Sequence, residues 1–396
     1  MLLVYHPDAI EELLVARNRD FIKSPGVRLL QPLVGEGLFL AEGESWLRQR
    51  RLLQPAFHRQ RIVGYGEVMA ALADRHLAGW KPGEVVEIHG EMMALTLAIV
   101  AKTLLDADVS GDAHEAIQAA NVLMADFGAR LQSFNVIPFW MPTPRNVRSR
   151  RAIRRLDTLI LRIIADRRAR GGDRGDLLSM LLDAQDADDG SRMTSRQVRD
   201  EVITMFLAGH ETTAVALSWI WYLLATHPEV EARLAGELRD VLAGRAPAVA
   251  DLPRLRYAAM VVTESMRLYP PAYGLGRQAA LPTEIAAQPV AAGDIVIAPT
   301  WVVHRDPRWF DEPLAFRPER WAGDLAQRLP RFAYLPFGGG PRQCIGNSFA
   351  QMEAVLLLAA IAARFRLALL PGQRIVPRPY VTIRPEPGIR VQLSAR

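Results

Sequence analysis

The stretch FGGGPRQCIG, residues 337–346, contains Cys344, the only cysteine in 396 residues. Three consecutive glycines lose more backbone freedom on folding than other residues would, so the run needs a structural reason. A cysteine flanked by apolar residues reads either as a small core residue or as a ligand, and the loop alone leaves both open. It is not a nucleotide-binding loop. It lacks G-x-x-x-x-G-K-[ST], and its glycines do not fit G-x-G-x-x-G.

The rest of the chain narrows the classes. Half of the residues are hydrophobic and 23% are charged, a composition able to build a large core. One cysteine excludes an intrachain disulfide framework and a thiolate zinc cluster, and it fits a reducing, cytoplasmic setting. The net charge of +5 suits acidic partners or an anionic cofactor without pointing to nucleic acid. No run of about eighteen apolar residues occurs. The longest clean one is Ala354 to Ala363. The opening MLLVYHPDAIEELL has no signal-peptide pattern.

Helical periodicity dominates. Helices are expected over 7–17, 44–57, 59–80, 89–105, 113–134, 146–170, 175–185, 228–243, 254–269 and 345–364. A long helix over 195–226 is apolar nearly all round, the pattern of a buried central element. Strand signals are few and late, at 293–303 and 380–393. Connectors are short and none reads as an interdomain linker, so one domain over 1–396 is expected, mainly α with a small β portion.

Two more motifs carry chemistry. AGHETT, 208–213, places Gly209, Glu211 and two threonines inside the apolar helix. It reads either as a kink with locally satisfied hydroxyls or as an opening for a small ligand with a proton relay. ESMR puts Glu264 and Arg267 on one helix face, and FRPERW supplies Arg320 as a further partner for a buried pair.

Taken together these motifs resemble the cytochrome P-450 family of haem-thiolate monooxygenases. The cysteine loop matches F-G-x-G-x-R-x-C-x-G at Phe337, Gly338, Gly340, Arg342, Cys344 and Gly346, after ExxR and RPER in order, with Trp46 and Arg50 near the start. The resemblance runs from about residue 4 to the end. The chain opens at the strand that precedes the family's second helix, so the family's N-terminal helix and first strands are expected to be missing.

The resemblance implies a fold that holds one haem b between a long distal helix and a proximal cysteine loop and helix. It implies Cys344 as the axial iron ligand, with the glycines giving the porphyrin room and Phe337 packed by the sulfur. The helix from about Ile345 would turn its positive end to the thiolate. Arg342, Arg277, Trp46 and Arg50 would anchor the propionates. Ala208 and Gly209 would leave space for dioxygen, and Glu211 and Thr212 would deliver protons. His210 would lie outside the pocket, and His304 would be structural. Glu264, Arg267 and Arg320 would hold the fold.

The implied reaction is hydroxylation of a lipophilic substrate such as a fatty acid, terpenoid, carotenoid or steroid. Lining regions fall at 24–43, Phe127 to Phe134, 201–212 and 270–276. No reductase follows Cys344, so electrons would come from a separate ferredoxin or flavodoxin type donor, met by Arg48, Arg51, Arg59 and Arg61. The apolar stretch from 134 and the six arginines within 145–155 read as a packed loop beside a solvated face, or as a mouth that meets carboxylates or anionic lipid. Other readings are a peroxide-driven peroxygenase, a non-catalytic haem sensor or electron carrier, and a haem-free helical scaffold.

Overall fold

Thr143 and Pro144 open the helix Pro144–Arg170. The Thr143 hydroxyl accepts the Asn146 amide at 3.2 Å, and proline at the first position sacrifices no helical hydrogen bond. Gly171, at φ 62°, ends it. This computed structural model describes residues 1–109, 111–131, 133, 137–183 and 192–396, with the Arg59 side chain also outside that set. Phe134 therefore lies outside the described residues.

The expected helices form at Gly43–Leu53, Arg59–Leu77, Ile88–Leu105, Ala113–Leu131, Leu177–Asp183, Pro228–Leu242, Arg256–Leu268 and Asn347–Arg364. The central helix spans Ser195–Thr226. The first expected helix is Pro7–Glu11, continued by a wider turn over Glu12–Ala16. Ile88–Leu105 is the one described helix long and apolar enough to cross a membrane, and 67% of it is buried within the protein.

The chain packs as two compact units. One comprises Met1–Ser24, Met69–Met92 and Thr212–Arg396; the other comprises Pro25–Val68 and Met93–Glu211. The first holds all the strands. Leu2–Leu3 runs parallel to Ile295–Ala298, which pairs antiparallel with Leu275–Ala279, which pairs antiparallel with Phe21–Lys23. Val85–Glu87, Arg390–Ala395 and Phe365–Leu369 form a second sheet, and two hairpins complete the set. The β portion is small and mostly late, as expected, but three short strands at Leu2–Leu3, Phe21–Lys23 and Val85–Glu87 precede residue 275. The strand expected over 293–303 stops at Ala298, and Thr300–Val303 is helical beyond Pro299. The expected 380–393 strand divides into Ile383–Glu386 and Arg390–Ala395. The hairpin Thr283–Ile285/Gln288–Val290 was hidden because its two turn residues, Ala286 and Ala287, take positive φ without the usual glycine or asparagine.

The second unit is built of helices among its described residues. It is braced by Arg167, which forms two 2.7 Å bonds to the Asp176 carboxylate and one to the Leu105 carbonyl. Arg130 likewise binds Asp126 at 2.7 Å and the Asn146 side chain.

The first unit is braced by Glu264, which is fully buried. Its carboxylate accepts Arg267 Nε at 2.9 Å and Nη2 at 2.8 Å, Arg320 Nε at 2.8 Å, Trp321 Nε1 at 2.9 Å and the Arg317 amide at 3.0 Å. Arg267 gives its remaining donors to the carbonyls of His304, Pro313 and Ala315. Its five N–H groups are all used. Removing the carboxylate leaves buried guanidinium charge uncompensated, a loss of about 3–5 kcal/mol. Glu264→Ala should therefore lower Tm by roughly 4–6 °C for a chain of this length. A calorimetric Tm equal to that of the parent would show that the network carries no stability.

Candidate active site

The cysteine loop hangs from the Glu264 network. His304, fully buried, offers its carbonyl to Arg267 and accepts the Leu335 amide on Nε2 at 2.9 Å. Burial, reinforced by the Arg267 charge, pushes its pKa down to about 3, so it is a neutral acceptor. The Leu335 carbonyl accepts the Gly338 amide at 3.0 Å, and the Phe337 carbonyl accepts the Cys344 amide at 3.0 Å. Cys344 itself is exposed, which overturns its reading as a small core residue.

Two of the three glycines serve the protein's own packing. A Cβ on Gly340, at φ 67°, would lie 2.0 Å from the Leu14 carbonyl oxygen, and one on Gly339 would lie 2.2 Å from the Phe332 ring. Gly338 is required by its φ of 69°, since a Cβ there would meet nothing closer than 3.7 Å. Gly339 and Gly340 thus have a reason within the protein's own packing, against Phe332 and Leu14. Arg342 closes the short turn Gly340–Arg342 and is half-buried, as is Phe337. Gly346 is the N-cap of Asn347–Arg364, whose first turn follows Cys344 in the chain. Arg277 is half-buried in the Leu275–Ala279 strand, paired with Val296 and Lys23.

The central helix is buried at every residue from Asp200 to Trp221 except three: Ala208, Gly209 and Thr212. Positions i, i+1 and i+4 share one face, so the helix opens on a single narrow strip. The missing Cβ of Gly209 accommodates Val100, whose Cγ2 would lie 2.7 Å from it. Glu211 is buried. His210 is buried away from the strip: its Nδ1 lies 2.6 Å from the Phe206 carbonyl, and its own carbonyl accepts the Thr96 hydroxyl at 3.0 Å.

In the second unit Trp46 and Arg50 are half-buried one turn apart on Gly43–Leu53. Of the basic residues expected to meet a donor protein, Arg51 is exposed and Arg48 half-buried. Arg61 donates to the Gly175 carbonyl, an internal tie. Arg59 lies outside the described side chains. Of the six arginines within 145–155, Arg145 binds Asp126 and Arg150 the Trp140 carbonyl, whereas Arg148, Arg151, Arg154 and Arg155 are exposed.

Two acids escaped the sequence reading. Glu201 lies fully buried on the central helix. Glu353 is fully buried on Asn347–Arg364, and the Thr213 hydroxyl approaches it, but neither carboxyl oxygen completes a hydrogen bond of good geometry. Burial pushes Glu353 up to about 8, so it is largely neutral at pH 7. A lone acid inside an apolar helical run was the available signal for Glu353; Glu201, after Arg199 and Asp200, gave none.

The donor set fits a haem. The only thiol stands exposed on a loop fixed through its own amide, with half-buried arginines at 277 and 342 for carboxylates. Between Asp200 and Trp221 the central helix is open only where its side chains are small or hydroxylic. A sequence profile described as Cytochrome P450 matches residues 1–393. Cyclooctatin synthase of Streptomyces melanosporofaciens is 40% identical over 96% of this chain and 83% of its own. Cyclooctat-9-en-7-ol 5-monooxygenase of the same organism is 37% identical over 93% and 81%. Pentalenene oxygenase of Streptomyces avermitilis is 34% identical over 99% and 87%. The solved cytochrome P450DA heme domain superposes with a TM-score of 0.90 at 28% identity, over 100% of this chain and 87% of that one. The chain belongs to the cytochrome P450 family. It is a haem-dependent monooxygenase with the P450 fold.

The Glu353 carboxyl yields a pH test. Its folded pKa lies above its ordinary value of 4.5, so its stabilising effect is full below that value and is lost as pH rises through about 8. Glu353→Gln keeps the volume and cannot ionise. Between pH 6 and 8 the parent Tm should fall by roughly 3 °C more than that of Glu353→Gln. Parallel Tm–pH curves would refute a neutral buried carboxyl.

Proposed function

We propose that this protein hydroxylates a C–H bond of a terpenoid, with electrons from a separate ferredoxin or flavodoxin type donor. The observation that carries the reading is the narrow opening of the central helix at Ala208, Gly209 and Thr212, in a chain whose relatives are named as oxygenases of terpenoids. The apolar composition of the lining regions at 24–43, 201–212 and 270–276 supports a hydrocarbon-like substrate over a polar one.

In this reading Cys344 would hold the haem iron through its thiolate, and one domain over 1–396 would carry the haem. When bound, the haem would supply the redox-active iron needed to activate dioxygen. Every other role falls to side chains. Arg342, Arg277, Trp46 and Arg50 hold the propionates, Arg342 and Arg277 by paired contacts that suit a guanidinium. Ala208 and Gly209 keep the strip low so that a small molecule can approach the helix. The Thr212 hydroxyl, the one polar side chain on the strip, holds a proton at Oγ1 and passes it outward. Glu211, the next residue, resupplies that proton. Phe337 and Gly338 shape the loop on the thiol side, and Gly346 starts its helix.

Thr212→Ala should lower product formed per reduced nicotinamide consumed by about tenfold or more, the usual contribution of a positioned proton donor, while total electron use continues. Unchanged coupling would sink the assignment. The reduced protein with carbon monoxide should show a strongly red-shifted Soret band that Cys344→Ser abolishes. Spectral titration with a panel of terpenoids, fatty acids and steroids should give the tightest binding for terpenoids. Tighter binding of fatty acids would replace the substrate class, and turnover with hydrogen peroxide equal to that with a reductase would favour a peroxygenase.

A further inference from the structure

The first half of the central helix grips a glycine-bearing loop of its own unit. Asp200 Oδ2 accepts the Glu36 amide at 3.1 Å, and Glu201 Oε2 accepts the Leu38 amide at 3.0 Å. The backbone is pressed against these side chains. A Cβ on Gly35 would lie 2.1 Å from Asp200 Oδ2, and one on Gly37 would lie 2.3 Å from Thr204 Oγ1. Gly35 also needs its positive φ of 57°. Sequence spacing alone hid this, because the two glycines and the two acids lie more than 160 residues apart.

The two acids are satisfied unequally. Asp200 is neutralised by Arg199, whose Nη1 lies 2.7 Å from Oδ1 and whose Nε binds Asp157 at 2.8 Å. Glu201 has only the Leu38 amide. Its Oε1 has no hydrogen-bond partner among the described residues, and the side chain is fully buried. A buried unsatisfied acceptor carries a desolvation penalty that exposure to water would relieve. On the loop side the Gly37 amide binds the Val34 carbonyl at 3.2 Å and the Leu40 amide the Gly37 carbonyl at 2.9 Å, whereas the Glu36 and Leu38 amides turn to the two acids. The Glu36 side chain is exposed and takes the Gln31 amide at 2.5 Å, and the Glu36 carbonyl takes Gln49 at 2.9 Å. Glu201 also lies on the face of the open strip. Seven and eleven residues separate it from Ala208 and Thr212, which returns it to within about 20° of each round the helix.

We propose that residues 35–40 form a substrate-admission flap, latched to the central helix by Asp200 and Glu201, and that ionisation of Glu201 releases it. This rests on the reading that residues 24–43 and 201–212 line the substrate route. The charged groups around Glu201 are Asp200 and Arg199 on its own helix, Asp157 on Pro144–Arg170 and Glu36 on the flap. Burial pushes the Glu201 carboxyl up to about 7, the Leu38 amide pulls it down, and the Asp200 charge adds to the rise. Closing therefore binds a proton. The latch is tightest below the ordinary value of 4.5 and weakens as pH rises through about 7. Opening should become about tenfold more frequent between pH 6 and pH 8.

Hydrogen-exchange mass spectrometry on the haem-loaded protein tests the latch without any substrate. Protection factors for the peptide covering residues 35–40, corrected for intrinsic exchange, should fall about tenfold from pH 6 to pH 8 in the parent. In Glu201→Gln, which keeps an acceptor for the Leu38 amide but cannot ionise, they should change less than about twofold. A flat parent series, which needs no variant to interpret, or the same fall in Glu201→Gln, overturns the latch. A second arm uses the diterpenoid alcohol sclareol as probe and follows the rate of its spin-state change by stopped flow. A rate that rises with pH in the parent alone supports the flap as the substrate gate. A pH-independent rate with the expected exchange result overturns its place on the substrate route and leaves the latch standing. Exchange as expected with no spin-state change from any terpenoid sinks the terpenoid reading instead.

Discussion

Everything on the thiol side of the site hangs from one buried carboxylate. Glu264 accepts five hydrogen bonds, two of them from Arg267. Arg267 reaches on to the His304 carbonyl, His304 receives the Leu335 amide, and Leu335 receives Gly338 at the head of the cysteine loop. A charge without a partner could not survive at that depth, so each link fixes the next. The Cys344 amide, bound to the Phe337 carbonyl, is thus tied to a line of residues that begins at Glu264. His304 can serve in this line only because burial keeps it neutral.

Buried acids recur, and their surroundings sort their roles. Glu264 is ringed by donors and acts as a staple. Glu353 has a single hydroxyl near it and is held largely neutral at pH 7 by the apolar helix around it. Glu201 has one amide and one idle oxygen. Three carboxyls of one chemical type thus differ in what they do because local donors and water differ, in the way that environment tunes carboxylates generally. The central helix combines a buried acid with a stretch, Asp200 to Trp221, closed everywhere but at three positions, which is how an apolar element can serve a reaction that moves protons.

The helices were legible because their signals are local. The apolar run of 195–226 and the Pro270-Pro271 stop act within a few residues, whereas the start of Pro144–Arg170 was placed two residues late, at 146. The strands were not, because short edges such as Phe21–Lys23 draw their pairing from segments some 250 residues away. The Ala286-Ala287 turn also lacks the residues that usually announce a hairpin. The glycines of the cysteine loop were found as a signal, yet the packing that Gly339 and Gly340 serve was not. Leu14 and Phe332, which exclude a side chain there, are remote or unremarkable in the sequence.

By itself the sequence determined the helical class, the lone thiol as the candidate ligand, and the motifs that place the chain among the P450s. Residue identity and short spacing suffice for those, since a period, a cap or a ligand loop is written in neighbouring residues. Tertiary structure alone decided that the Cys344 amide is tied to the Phe337 carbonyl, that Gly339 and Gly340 answer to Phe332 and Leu14, and that Glu201 meets a loop it is far from in the chain. Burial and hydrogen-bond partnership set the protonation of a carboxyl, and neither exists until distant segments are brought together.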